Sequence, residues 1–277
     1  MSELLKAVLF GIVEGVTEWL PVSSTGHMIL LDELVTMRVS DLFMQMFMVV
    51  IQLGAILAVV IMYWKTIWPV RRNRKTGALT LDNDTMMLWA KVIAACLPAA
   101  VVGVLADEWL DAHFRNWPVV SAMLIIVGIA FIVIEKRNKG KQPVTKRLKD
   151  LSFKDAMIIG LFQLIAAIFP GTSRSGATIL GGIMIGVSRP VAAKFTFIMA
   201  IPVMLGASLL KILKYGLFFS AMELGILFVG MLVAFLVSML VIRFIMEYIR
   251  THDFKVFGWY RIILGAAVIL FFTVVRR

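Results

Sequence analysis

Long apolar stretches separated by short polar segments follow one another along the whole chain. Six of these stretches have about the 20 residues that a helix needs to cross a bilayer: Leu42–Trp64, Met86–Leu105, Trp117–Ile134, Ala192–Leu213, Leu224–Ile245 and Val256–Val275. Because a helix satisfies its own backbone hydrogen bonds in lipid, the pattern predicts an all-α polytopic membrane protein.

Two further apolar stretches carry polar residues in their middle. The first begins at Leu4 and has about ten apolar residues before Glu14, too few to cross a bilayer at about 1.5 Å per residue. The second, Phe153–Val187, is interrupted at Pro170. Proline ends a helix, and the serine and threonine residues that follow can cap another one. We therefore expect two re-entrant helical hairpins, with Pro21 ending the first helix of the first hairpin.

The two halves of the chain resemble each other in the order of these stretches. Five positions of the first half match five of the second at one constant offset, namely Ala7, Gly11, Glu14, Pro21 and Ser24 with Ala156, Gly160, Gln163, Pro170 and Ser173. Each half consists of a hairpin, which does not cross the membrane, and three crossings. Because three is an odd number, the second copy is inverted relative to the first. We expect one integral membrane domain, residues 1–277, with inverted repeats at 1–135 and 153–277 joined by a linker at 136–152.

Composition and charge placement agree with a membrane protein. Of 277 residues, 61% are hydrophobic and 16% are charged, and the formal net charge is +11. Such a charge in a soluble protein would suggest a nucleic-acid partner, but here the basic residues concentrate between the apolar stretches, so we expect none. They predict cytoplasmic loops by the positive-inside rule. The residues concerned are Lys65, Arg71, Arg72, Arg74, Lys75, the basic linker, Arg243, Arg250, Lys255 and Arg261.

The first interrupted stretch contains a set of reactive side chains. Glu14 and Glu18 are four residues apart, so a helix places both on one face. Carboxylates inside a membrane segment are costly and usually functional. Ser24 is a candidate nucleophile, which needs a base beside it, and His27 follows three residues later. The two carboxylates could orient this imidazole or hold a hard divalent cation.

The second interrupted stretch contains a candidate anion site, in the sequence Pro170-Gly171-Thr172-Ser173-Arg174-Ser175-Gly176-Ala177-Thr178. A glycine-flanked turn that opens a helix offers free backbone N–H groups. Arg174 adds a planar fork of donors suited to phosphate oxygens. Together the two stretches supply the nucleophile, the acid–base group and the charge clamp of a phosphoryl-transfer site.

Each of these residues also has a purely structural interpretation. Ser23, Ser24 and Thr25 could be helix N-caps, His27 could bind a backbone carbonyl, and Arg174 could extend to the membrane interface. A transporter for an anionic lipid or solute is the alternative function, since inverted repeats and broken helices are also typical of carriers. A carrier needs the anion clamp but no nucleophile.

The segment Glu14–His27 resembles the motif of bacterial undecaprenyl-pyrophosphate phosphatases, also called the bacitracin-resistance protein family. The segment Pro170–Thr178 resembles the second motif of that family, and the resemblance extends over the whole chain. It implies hydrolysis of undecaprenyl pyrophosphate to undecaprenyl phosphate, which recycles the carrier lipid for peptidoglycan. It also implies an enzyme of the bacterial inner membrane whose site opens to the periplasm and uses Mg²⁺ or Ca²⁺.

By the same resemblance the catalytic residues are Glu14, Glu18, Ser24, His27 and Arg174, and the metal ligands are Glu14 and Glu18. The predicted substrate-binding residues are Ser23, Thr25, Gly26, Ser173, Ser175, Gly176 and Thr178. The expected partners are a polyprenyl pyrophosphate lipid, membrane lipids and a second copy of the chain in a homodimer. The expected reaction is in-line attack by Ser24 on the terminal phosphorus with His27 moving the proton, and attack by His27 or by water remains an alternative.

Overall fold

The computed structural model describes residues 2–72, 77–216 and 218–275, so Arg74 and Lys75 of the predicted basic loop lie outside it. The described chain is mainly helical. The helices are α1 Glu3–Thr17, α2 Ser24–Leu34, α3 Asp41–Val50, α4 Gln52–Ile67, α5 Asn83–Phe114, α6 Trp117–Arg137, α7 Phe153–Ile168, α8 Arg174–Met184, α9 Arg189–Tyr215, α10 Ala221–Thr251 and α11 Lys255–Leu270.

Six helical stretches in the described chain are long and apolar enough to cross a membrane. They are Asp41–Ile67, Asn83–Ala106, Trp117–Arg137, Arg189–Tyr215, Ala221–Thr251 and Lys255–Val274. Each contains most or all of one apolar stretch identified in the sequence. The prediction of an all-α, multi-pass membrane architecture is therefore confirmed.

Three local features differ from the sequence-based expectations. The first crossing is divided at Ile51 into α3 and α4. The basic loop contains a short antiparallel hairpin of β1 Val70–Arg72 and β2 Leu79–Leu81, which an all-α prediction omits. Pro21 does not end α1, because that helix already ends at Thr17 and a turn lies between the two residues.

The two interrupted stretches fold as helix–turn–helix pairs with matching turns. Ser23 caps α2 and Ser173 caps α8, each through a side-chain oxygen that accepts a hydrogen bond from a glycine N–H three residues later. These are the only two non-glycine residues of the described chain with positive φ, at 75° and 68°. The structure thus pairs Ser173 with Ser23, and the predicted pairing of Ser173 with Ser24 is wrong by one residue.

Close contacts between helices of opposite halves surround these turns. Helix α1 packs on α10, α7 packs on α5, and α6 packs on α11. A Cβ atom at Gly11 would lie 2.7 Å from the carbonyl oxygen of Gly230, and one at Gly160 would lie 2.3 Å from that of Ala95. Both glycines are therefore required for the close approach of the helix backbones.

Candidate active site

A buried ion pair joins the two helix breaks. Arg174 Nη2 donates a hydrogen bond of 2.6 Å to Glu18 Oε1, and the two side chains are 13% and 7% exposed. Glu18 occupies the end of α1, where its N–H donates to the carbonyl of Glu14, and Arg174 is the first residue of α8. Residues 156 positions apart therefore meet at the same point, as the sequence predicted.

Glu18 also binds the candidate nucleophile through its other oxygen. Ser24 Oγ donates to Glu18 Oε2 over 2.8 Å. Arg174 is held in turn by the carbonyl of Thr196 in α9, at 3.1 Å, and its guanidinium carbon lies 5.9 Å from the centroid of the Trp19 ring. One carboxylate thus fixes a hydroxyl and a guanidinium side by side.

The backbone of the two turns is constrained at the positions of the caps. A non-glycine residue with positive φ is uncommon, and such residues concentrate at functional sites. The Ser23 and Ser173 hydroxyls accept from Gly26 N and Gly176 N at 3.4 and 3.1 Å. The earlier amides of α2 and α8 have no intrahelical acceptor, which makes both helix N-termini suited to an anion.

Arg261 joins the two turns through hydrogen bonds to both of them, and its prediction as a cytoplasmic basic residue is wrong. Its side chain is fully buried in the middle of α11. It donates to the carbonyl oxygen of Pro21 in the first turn at 3.2 Å, and to those of Gly171 and Thr172 in the second at 2.8 and 2.9 Å. The available signal was an arginine in the middle of an apolar stretch.

The Glu18–Arg174 pair lines a cavity of about 510 Å³. Its polar end contains Glu18, Ser24, Thr25, Gln163, Ser173 and Arg174. Its other walls are mostly apolar and come mainly from α5 and α9, for example Leu97 and Val203, although Gln52, Arg115 and Lys211 also line the cavity. A site with a polar cluster and long, mostly apolar walls suits an amphiphilic ligand whose headgroup is anionic.

His27 has different partners from those expected. Its Nδ1 lies 2.7 Å from the carbonyl oxygen of Ser23, and its Nε2 lies 2.7 Å from the hydroxyl of Tyr260. A carbonyl oxygen only accepts, so Nδ1 carries the proton, and a ring that is neutral accepts from the Tyr260 hydroxyl at Nε2. The structure pairs Ser24 with Glu18, and the expected contact between Ser24 and His27 is not formed.

Two hydroxyls that were predicted to contact phosphate instead donate hydrogen bonds to backbone carbonyls. Ser175 Oγ donates to the carbonyl of Glu18 at 2.9 Å, and Thr178 Oγ1 donates to the carbonyl of Arg174 at 2.8 Å. Both side chains are buried, and Thr178 also accepts from Thr196 Oγ1. These hydroxyls position the Glu18–Arg174 pair, while Thr25 and Ser173 line the cavity.

The chain matches one known protein family over most of its length. The family model described as bacitracin resistance protein BacA matches residues 7–267. The chain belongs to the BacA family.

Several relatives of this family member are named undecaprenyl-diphosphatase. The chain is 58% identical to the undecaprenyl-diphosphatase of Desulfitobacterium hafniense over 99% of its own length and 97% of the relative. It is 56% identical to undecaprenyl-diphosphatase 1 of Clostridium acetobutylicum, covering 99% and 98% of the two chains. It is 55% identical to the undecaprenyl-diphosphatase of Acetivibrio thermocellus over the full length of both.

The carboxylates of this BacA family member fit a divalent cation. Glu14 is 1% exposed and its Oε1 has no hydrogen-bond partner in the described chain. A buried carboxylate oxygen in this state needs a cation or a proton. No three His, Cys, Asp or Glu side chains converge within the described residues. Two carboxylates alone are a donor set that suits Mg²⁺, which is often held by one or two carboxylates and by substrate phosphates.

Proposed function

We propose that this protein hydrolyses undecaprenyl pyrophosphate to undecaprenyl phosphate and inorganic phosphate. The observation that carries the proposal is the contact of Glu18 with both Ser24 and Arg174 at the polar end of an apolar cavity. Full-length relatives that are 55–58% identical are named undecaprenyl-diphosphatase, which supports the same activity here. The transporter alternative has no such support.

The pyrophosphate binds where the two helix N-termini meet. Arg174 and the first-turn amides of α2 and α8 contact the oxygens of the terminal phosphate, with Thr25 and Ser173 beside them. These groups are oriented before the substrate enters, because Glu18, Thr196 and the two caps already hold them. The prenyl chain lies against the apolar walls of α5 and α9.

Ser24 attacks the terminal phosphorus in line with the bridging oxygen. Its proton passes to Glu18 Oε2, which already accepts the Ser24 hydrogen bond. The bond from phosphorus to the bridging oxygen breaks as that oxygen takes the proton from Glu18, so undecaprenyl phosphate leaves and Glu18 is again a carboxylate. Water then attacks the phosphoserine with Glu18 as base, and phosphate leaves as Ser24 regains its proton. His27, joined to Tyr260 and the Ser23 carbonyl, positions the turn instead of acting as the base for Ser24.

Glu14 and Glu18 would hold a Mg²⁺ or Ca²⁺ ion together with the substrate. When bound, the ion would supply positive charge to the phosphate oxygens. The Oε1 atom of Glu14, which is buried and has no hydrogen-bond partner in the described chain, supports this assignment.

The helix pairs α1–α2 and α7–α8 are re-entrant hairpins of two inverted repeats within a single membrane domain. The matching caps at Ser23 and Ser173 support this arrangement. So does the exchange of partners, since α1 of the first half packs on α10 of the second and α7 of the second packs on α5 of the first. The repeats cover residues 1–135 and 153–277, and residues 136–152 link them.

The protein resides in the inner membrane of a bacterium, where its product serves peptidoglycan synthesis and its activity contributes to bacitracin resistance. The basic segments around Lys65–Arg72 and 136–149 face the cytoplasm, which the positive-inside rule supports. The cavity opens at the other ends of α4, α5 and α9 and hence toward the periplasm. The homodimer stays a prediction, which the mass of the protein in a lipid nanodisc tests.

Phosphate release from undecaprenyl pyrophosphate by the purified protein in detergent tests this function. We expect turnover by the unaltered protein and a loss of about a hundredfold or more in Ser24→Ala, because the attacking group is removed. Ser238→Ala, which removes a buried serine of α10 away from the cavity, is the matched control. A folded protein that binds the lipid without releasing phosphate would overturn the proposal.

A further inference from the structure

A second polar pocket lies at the opposite end of the helices that wall the cavity. It has a volume of about 250 Å³, and its basic residues are Arg71, Lys91, Lys149 and Lys194. Thr66 of α4 lines this pocket, whereas Gln52 of the same helix lines the cavity. The two are 14 residues apart, or about 21 Å along the helix axis, so the pocket and the cavity are separate sites.

The most buried cation of the pocket lacks a counter-charge. Lys91 is 8% exposed, and within the described chain its ammonium makes no hydrogen bond or ion pair. It lies 5.9 Å from the centroid of the Phe153 ring, and Lys194 Nζ lies 5.2 Å from that of Tyr63. Such ring contacts offset only part of the cost of withdrawing this largely buried lysine from water. An anion in the pocket would supply the remainder.

The acidic residues of the pocket do not neutralise its basic residues, so the net charge of the pocket is positive. Asp82 accepts hydrogen bonds from Thr85 Oγ1 at 2.5 Å and Thr85 N at 3.2 Å, and Arg71 Nη2 lies 3.9 Å from the same oxygen. Asp84 also lines the pocket but is exposed at its edge. Arg71 and Asp82 neutralise each other, which leaves Lys91, Lys149 and Lys194 against one exposed carboxylate.

Aromatic residues place the pocket at the depth of the lipid headgroups. Trp64 and Trp68 flank Thr66, are 46% and 45% exposed, and stack with ring centroids 4.5 Å apart. Exposed tryptophans are typical of the boundary between lipid tails and water. Met87 lines the pocket and is 48% exposed, so an apolar surface adjoins the cations.

We propose that this pocket binds a phosphate group, presented by an anionic phospholipid of the surrounding membrane. Lys91 and Lys194 contact the phosphate oxygens from inside, and Lys149 closes the outer side. The acyl chains extend along the exposed apolar surface beside Met87. Basic pockets between transmembrane helices on the cytoplasmic side are suited to such headgroups. The site is independent of the catalytic one, so its failure would leave the proposed hydrolysis intact.

Lipid binding to the purified full-length protein, followed by native mass spectrometry, tests the proposal. The variant carries Lys91→Gln, Lys149→Gln and Lys194→Gln. We expect its affinity for phosphatidylglycerol to fall about a hundredfold, since each basic residue at a membrane surface contributes roughly a factor of five. Phosphatidylcholine, with no net charge, should bind weakly to both proteins.

The matched control removes three exposed lysines from the linker on the same face, as Lys136→Gln, Lys139→Gln and Lys141→Gln. We expect its affinity for phosphatidylglycerol to change by less than about fivefold, because exposed charges outside the pocket are screened. Equal losses in the two triple variants, or equal binding of the two lipids to the unaltered protein, would overturn the proposal.

Two further measurements keep the test decisive. Lys149 is exposed, so Lys149→Gln alone leaves the fold intact and should still weaken phosphatidylglycerol binding; an unchanged affinity would contradict the site. Inorganic phosphate distinguishes the source of the group. If inorganic phosphate binds through the lysines and the lipid does not bind, the phosphate site is supported but its ligand is soluble. If neither inorganic phosphate nor phosphatidylglycerol binds, the proposed site is overturned.

Discussion

At the residue scale, Glu18 connects the groups that the proposed reaction requires. Its two carboxylate oxygens bind Ser24 Oγ and Arg174 Nη2, while its backbone carbonyl accepts from Ser175. A buried ion pair of this kind is of little value for stability, because desolvation offsets the attraction between the charges. Its value lies in orientation: the arginine and the hydroxyl are held in place before the phosphate arrives.

The assignment of Glu14 as a metal ligand predicts a specific metal dependence. Removal of divalent cations with a chelator should abolish phosphate release, and Mg²⁺ or Ca²⁺ should restore it. Glu14→Gln keeps the shape of the side chain but removes its charge, so it should raise the metal concentration for half-maximal activity by about tenfold or more. Activity measured against metal concentration checks this.

The matched control for that measurement is Glu247→Gln. This change removes the charge of a carboxylate that is 77% exposed and lies near the C-terminal end of α10. It should leave the metal dependence unchanged. Full activity of Glu14→Gln in the presence of chelator would contradict the assignment of Glu14 as a metal ligand.

At the element scale, the two helix breaks hold their shape because other helices satisfy their backbone groups. Arg261 of α11 donates to carbonyls of both turns, and the caps Ser23 and Ser173 satisfy amides of the following helices. In lipid an unpaired carbonyl has no water to replace a lost donor, so each of these bonds matters more than at a protein surface. The hairpins are therefore positioned by α11 as well as by each other.

Substitution Arg261→Lys tests this role, because an ammonium lacks the planar fork that spans the two turns. We expect a loss of stability of about 1–3 kcal/mol for unsatisfied buried groups, together with reduced phosphate release. Thermal denaturation in detergent measures the first effect. Arg250→Lys, at an exposed position of α10, is the control. A melting temperature of Arg261→Lys equal to that of the control would contradict the assignment.

The packing of α7 on α5 gives a second prediction at this scale. A Cβ at Gly160 would lie 2.3 Å from the carbonyl oxygen of Ala95, whereas one at Gly103 would meet nothing within 4 Å. Gly160→Ala should lower the melting temperature, since the backbones must separate. Gly103→Ala should leave it unchanged or raise it, because alanine favours helix by about 1 kcal/mol over glycine. The opposite order of the two variants would be inconsistent with this packing.

At the scale of the whole molecule, the proposed inverted topology assigns each loop between two membrane-crossing helices to one side of the membrane. In a Cys96→Ser background, single cysteines at Thr36 and Ser220 should react with an impermeant thiol reagent added outside intact cells. Cysteines at Lys141 and Asp253 should react only after the membrane is permeabilised. Reaction of all four from outside, or of Lys141→Cys before permeabilisation, would exclude the proposed orientation of the repeats.

Much of the architecture was predictable because bilayer thickness and backbone hydrogen bonding fix the length of a spanning helix. The meeting of Glu18 with Arg174 was predictable from two polar breaks in apolar stretches. The partners of His27 were not, because Tyr260 lies 233 positions away and only the packing of α11 brings it near. Arg261 was misplaced for a related reason: a rule based on charge counts cannot distinguish a loop arginine from one buried in a helix.

The central claim is that Ser24 and Arg174, on different hairpins, work as one site. Phosphate release from undecaprenyl pyrophosphate by Ser24→Ala, Arg174→Ala and the double variant tests it most directly. Residues that act as a unit give losses that do not add, so the double variant should be about as slow as the slower single variant. Losses that multiply, or an Arg174→Ala protein with normal turnover, would contradict the account.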